Sequence, residues 1–357
     1  MEGDRLFPLI CLEYEPGSID AAVDALDDAL ARDVASMELR YYRGDCLRCQ
    51  EEALGLAAKD DAAVRATAAA YCGFALEAAG DASGAAFWLR KCMETGIHAR
   101  ARLEAMTGDK RSASADEADI EELYTLLLVG DLCAGALGCL KERQGKFDYL
   151  SARSLTSPLR MLGCIAAATG ALNDGRYAYS SGLLKGIIST SRIHYPLLVA
   201  IAQLVIAIDL VMLGDDEAAK NEFMESFEVL RKDNLLQPIA GMYRGLMGLP
   251  DACLRKRYGR ILKELQSRAQ TASCLARDAN PRIGELPSSP LLKPQESSFV
   301  QLAALGKTND EIAAFMGVTT HTVKYHLSNA YAKLNIEGRA ELVPASSQAQ
   351  VSPKRYL

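Results

Sequence analysis

One helical stretch towards the C-terminal end carries side chains suited to recognition. Between Thr319 and Leu334, the residues Val323, Leu327, Ala330 and Leu334 recur at helical spacing and form an inward stripe. Thr320, His321, Lys324, Tyr325 and Ser328 fall on the opposite face. These side chains can donate or accept hydrogen bonds, or lie over an apolar base edge, and no acid stands among them. A helix lying in the major groove of DNA requires such a face. The solvated face of a small helical bundle has the same pattern, and spacing alone leaves both readings open.

Other chemistry has little material. The single C-x-x-C is Cys46-Leu47-Arg48-Cys49, and no second pair follows at zinc-site spacing. The four histidines, His98, His194, His321 and His326, form no recognisable set with a nucleophile or an acid. No G-x-x-x-x-G-K-[ST] phosphate loop exists. We therefore expect no enzyme activity, no cofactor and no metal. The ten cysteines, in a chain that begins without the basic-then-apolar order of an export signal, suggest a reducing cytoplasm. Cys49, Cys92 and Cys139 fall at packing positions and read as small buried hydrophobes.

Two short helices must position the recognition face. The first runs from about Pro294 to Leu305 and stops at Gly306. The second opens at Thr308, which forms a capping box with Glu311, and ends near Met316-Gly317. The glycine allows the sharp turn before the third helix, which Thr319 caps.

This arrangement resembles the LuxR (NarL/GerE) DNA-binding domain. The elements that carry the resemblance are Asn309-Asp310-Glu311-Ile312-Ala313, Thr322-Val323-Lys324-Tyr325-His326 and Lys333-Leu334, aligned without a gap over about fifty residues. The resemblance implies that the third helix enters the major groove of double-stranded DNA. Lys324, Tyr325 and Ser328 would reach base edges, and Thr322 and Lys333 would sit near phosphates. His326 matches the family's histidine and reads as a packed side chain.

Three departures stand out. Lys293 replaces the usual Thr or Ser cap, which is worth about 1 kcal/mol. Pro344 falls in the fourth helix, through which the family often forms homodimers. Over residues 293–344 five bases balance five acids, so attraction to phosphate is modest.

The preceding segment supplies charge. Residues 252–292 carry a net charge of +5 and end in a linker, Asn280 to Pro290, with three prolines in eleven residues. Such a linker is extended and semi-rigid, and predicts two domains that move independently.

The first 250 residues read as stacked helical pairs. Gly44-Asp45, Gly80-Asp81, Gly130-Asp131 and Gly214-Asp215 each separate two helical patterns, and Gly170-Ala171 is assigned the same role. Around three of these turns small residues recur seven before and five after the glycine, and large ones nine after it. Gly73, Ala85 and Leu89 frame Gly80. Gly163, Gly175 and Tyr179 frame Gly170. Ala207, Ala219 and Phe223 frame Gly214. The pattern resembles the tetratricopeptide repeat with looser spacing, and its irregular steps look like the superhelix of MalT-type regulators. Two apolar stretches, Leu123–Leu140 and Pro196–Leu213, have the composition of membrane spans, but Asp131, Gln203 and Asp209 interrupt them. Buried helices explain both, and no membrane association is expected.

The sequence therefore predicts an all-α protein. A helical-repeat domain over 1–250 would receive a protein partner or a small ligand in its groove. A basic helix and linker over 251–290 precede a LuxR-type domain over 291–345 and a tail over 346–357. The expected function is sequence-specific, bacterial transcription regulation in the cytoplasm. The alternative is a helical-repeat adaptor whose helix-turn-helix is a protein interface.

Overall fold

The computed structural model describes residues 6–108, 157–190, 195–272 and 292–342, together with Leu126 and Val129. The described residues are helical and contain no β-strand. The front of the chain forms α1 (Ile19–Asp24), α2 (Ala29–Arg43), α3 (Cys46–Leu56), α4 (Ala62–Ala79) and α5 (Ala82–Gly108). Then follow α6 (Ser157–Asn173), α7 (Tyr177–Thr190), α8 (Pro196–Leu213) and α9 (Asp216–Lys232). Three shorter helices close this part: α10 (Gln237–Met242), α11 (Leu249–Leu254) and α12 (Gly259–Thr271). The C-terminal unit holds α13 (Pro294–Ala304), α14 (Asn309–Met316), α15 (Thr320–Leu334) and a 3₁₀ turn over Arg339–Leu342.

The predicted turns have a common geometry. Gly44, Gly80 and Gly214 adopt left-handed φ angles of 86°, 90° and 84°. The aspartate after each one caps the next helix: Asp45 accepts from Arg48 N–H, Asp81 from Gly84 N–H and Asp215 from Ala218 N–H. A side chain other than glycine is strained in the left-handed region, and aspartate satisfies the amides that a helix start leaves open. One assignment needs correction. Gly170 lies inside α6, and the left-handed glycine is Gly175, with φ 76°. An isolated glycine is tolerated within a helix when the apolar face continues past it, as it does here through Ala171 and Leu172.

With that correction the packing register becomes uniform. Seven residues before the four glycines stand Met37, Gly73, Ala168 and Ala207. Five after stand Cys49, Ala85, Ser180 and Ala219. Nine after stand Ala53, Leu89, Leu184 and Phe223. All twelve are buried. Gly73 shows why small residues recur: a β-carbon there would lie 2.7 Å from the Leu89 side chain. The turn at Gly130-Asp131 and Cys139 lie outside the described residues.

The array is tied back on itself. Asp233, after α9, accepts from the backbone N–H groups of Gly17 and Ile19, and its carbonyl accepts from Arg43. α10 packs on α2, and α12 packs on α4. The basic helix predicted after residue 252 is therefore part of this packing. Arg268 on α12 donates to the Arg43 carbonyl and pairs with Glu264. Pro196–Leu213 is long and apolar enough to cross a membrane, but it is α8 and lies mostly buried between α7 and α9. Its Gln203 donates to Glu225, and desolvation pushes the Asp209 carboxyl up to about 7. The stretch Leu123–Leu140 lies outside the described residues apart from Leu126 and Val129.

The prediction of independently moving domains is also corrected. α13 packs on α12, and α14 packs on α11. Lys307 pairs with Asp216 at 2.7 Å across the junction. Phe315 is buried, with Lys220 and Lys307 over its ring. Arg244 donates to the Leu292 carbonyl. Buried apolar surface, the Lys307–Asp216 ion pair and the Arg244 hydrogen bond hold the two parts together, which prolines in a connecting segment do not prevent. The linker residues 280–290 lie outside the described residues.

Candidate nucleic-acid interface

The three C-terminal helices form where the sequence places them, each for a local reason. Pro294 stands at the first position of α13, where its ring presets a helical φ and its missing N–H costs nothing. Lys293 provides no side-chain cap, but its backbone N–H donates to Glu296 at 2.9 Å, so half of a capping box survives. At α14 the box is complete: Thr308 Oγ1 accepts from Glu311 N–H, and Glu311 accepts from Thr308 N–H. Those bonds hold the Glu311 carboxyl below its ordinary value. Gly317 turns the chain with φ 63°, and Thr319 accepts from Thr322 N–H to start α15.

α15 packs on α13 and α14 through Val323, Leu327 and Ala330, which are buried. His326 stacks on Phe299 at 4.6 Å between ring centres. Desolvation lowers its pKa, as a packed neutral ring requires. The outward face holds His321, Lys324, Tyr325 and Ser328, all exposed. Tyr325 is 60% exposed and meets the His326 ring edge-on at 5.5 Å between ring centres.

Three of the predicted site residues are already engaged. Thr320 donates to Asp310 at 2.7 Å. The hydroxyls of Thr319 and Thr322 lie 2.9 Å apart at the helix start. Lys333 binds Glu296 with its ammonium 2.6 Å from one oxygen and 2.9 Å from the other. Lys333 lies off the packing stripe of α15, yet it also serves the packing of the domain, because it pairs with Glu296, which is only 7% exposed. Burial would raise the Glu296 carboxyl, but Lys333 and the Lys293 N–H outweigh it and hold it below its ordinary value. Asp310 and Glu296 were missed as partners, since neither lies at helical spacing from the residue it binds. Pro344 lies outside the described residues.

Residues 290–345 match the model of the bacterial regulatory proteins of the luxR family. The spore germination protein GerE of Bacillus subtilis (strain 168) is 39% identical over 59 residues, which are 16% of this chain and 80% of GerE. The chain belongs to the luxR family. The luxR-type unit also resembles the transcriptional activator protein YukR of Yersinia ruckeri, at 44% identity over 46 residues, 13% of this chain and 20% of YukR. The transcriptional activator protein ExpR of Dickeya dadantii (strain 3937) is 41% identical over 46 residues, 13% of this chain and 18% of ExpR. The chain thus spans about a fifth of the length of these two activators. No solved structure matches the chain. The luxR-type helix-turn-helix is docked on the front domain through α13 and α14, and the outward face of its third helix stays exposed.

Proposed function

We propose that the protein is a sequence-specific transcription regulator whose α15 reads the major groove of double-stranded DNA. The exposed row His321, Lys324, Tyr325 and Ser328, on a helix whose other face is packed, is the observation that carries this reading. Lys324 would donate to a guanine edge, and Tyr325 and Ser328 would contact neighbouring bases. Thr320, Thr322 and Lys333 would flank that row, with Thr322 and Lys333 nearest to phosphate. The front domain, over residues 1–250, would receive a signal as a MalT-like helical array, either a protein partner or a small ligand.

The adaptor reading draws on a different observation. Asp310 holds Thr320 and Glu296 holds Lys333, so two of the predicted contacts are engaged within the domain. Selection of bound fragments from random DNA by the purified full chain separates the two. Enrichment of a defined motif, lost on Lys324→Ala, supports the regulator. Salt-sensitive binding without any motif, or no binding, supports the adaptor.

A further inference from the structure

The front domain contains a cleft of about 410 Å³ between α4, α5 and the described residues Leu126 and Val129. Its origin is compositional. Ala62, Ala66 and Ala69 stand on one stripe of α4 and are too short to fill the space in front of them. Trp88 and Cys92 form the facing stripe of α5, and Leu126 and Val129 close the far side. These walls are apolar. The charged side chains that line the cleft are Arg65 and Lys91, and no acid lines it among the described residues. Lys91 lies over the Trp88 ring, 5.2 Å from its centre. Both cations are exposed, so they stand where the apolar cleft meets solvent and give its opening a positive charge.

We propose that this cleft binds a small carboxylic acid with an apolar body. The body would lie against Ala66, Ala69, Trp88 and Val129. The carboxylate would meet Arg65 and Lys91 at the rim, where charge-assisted hydrogen bonds form without full desolvation. The volume falls in the range of sites that enclose small organic ligands. Arg65 also reaches Asp60 at 3.5 Å and the Lys59 carbonyl at 3.1 Å, contacts at an exposed rim that a ligand carboxylate can displace. This inference rests on the reading of the front domain as the receiver of a small ligand.

Trp88 is the one tryptophan of the chain, so its fluorescence reports on the cleft directly. The full-length protein is titrated with decanoate, decanol and decyltrimethylammonium, each below micelle formation. The expected result is a saturable change in Trp88 emission with decanoate, at least about tenfold tighter than with decanol. The ammonium compound should bind more weakly still. Arg65→Met/Lys91→Met should remove the preference for decanoate and leave decanol unchanged. Ala66→Leu should weaken both by filling the floor, with circular dichroism as the folding control. Equal affinity for decanoate and decanol, or no saturable response to either, overturns the proposal. DNA selection is measured on the same preparation. Intact selection without decanoate binding rejects the cleft alone, whereas lost selection with intact decanoate binding rejects the regulator reading alone.

Discussion

Gly248 and Met316 meet at the junction of the two parts of the molecule, so closely that a β-carbon on Gly248 would lie 2.8 Å from the Met316 sulfur. Gly248 starts α11 with a left-handed φ of 87°, and Met316 ends α14. Beside them lies Asp251, fully buried. It accepts from Tyr243 at 2.6 Å and from Gln266 at 3.0 Å. Burial raises the Asp251 carboxyl despite those donors and nearby Arg255. The helix-turn-helix is therefore seated on a specific polar and apolar surface.

Gly248→Ala tests that seat. Gly214 has a similar φ of 84° but open space where a β-carbon would go. Each substitution should carry the left-handed strain of about 1 kcal/mol, and Gly248→Ala should add the cost of displacing Met316. Urea unfolding of the full chain should therefore show the larger loss for Gly248→Ala. Equal losses would mean that the approach at Met316 yields at no cost.

Lys324→Ala tests recognition. Lys324 is exposed on α15, and among the described residues no ion pair holds it. Its removal should weaken binding to a selected site by about 1–3 kcal/mol and binding to a scrambled site much less. Fluorescence anisotropy against both duplexes over a salt series makes the comparison. Circular dichroism should remain that of the wild type.

Lys333→Ala tests the bond to Glu296. Leaving that carboxylate without its partner should destabilise the domain by about 1–3 kcal/mol. Because the folded Glu296 carboxyl lies below its ordinary value of 4.5, the contribution is complete above that pH and is lost as pH falls through the lower folded value. The difference between wild type and variant should shrink on acidification. Glu296→Gln/Lys333→Met should recover part of the loss at neutral pH. A constant difference across pH would remove Glu296 as the cause.

Glu38 predicts an opposite pH dependence. It is fully buried on α2 and accepts from Leu9 N–H at 2.7 Å. Burial pushes its carboxyl from 4.5 up to about 8. The stability it contributes is complete below 4.5 and is lost as pH rises through about 8. Glu38→Gln keeps an acceptor without the charge. The melting temperature of the variant relative to wild type should rise between about pH 5 and about pH 9. A flat difference would show that Glu38 does not titrate in that range.

Much of the candidate site was legible because its signals are local. Thr308 with Glu311, Gly317, and Thr319 lie within one helical turn of the groups they bind, so residue type and spacing specify their geometry. The inward stripe Val323, Leu327 and Ala330 follows from the helical period, and its opposite face follows with it. The same locality made Gly80-Asp81 and Gly214-Asp215 readable. It failed at Gly170, where helix stop and tolerated glycine share one residue type, and the continuing apolar face decided for the helix.

The sequence by itself determined the helices, their caps and stops, and which face of α15 turns outward, because each depends on neighbours a few residues away. Tertiary structure alone decided which of those outward side chains are engaged. Lys333 and Glu296 are 37 residues apart, and Lys307 and Asp216 are 91 apart. Such pairs form only where the chain path brings two helices together, and the path is set by the summed packing of many apolar contacts. No spacing rule within one segment contains that sum, so the docking of α13 and α14 and the engagement of Lys333 emerge only with the fold.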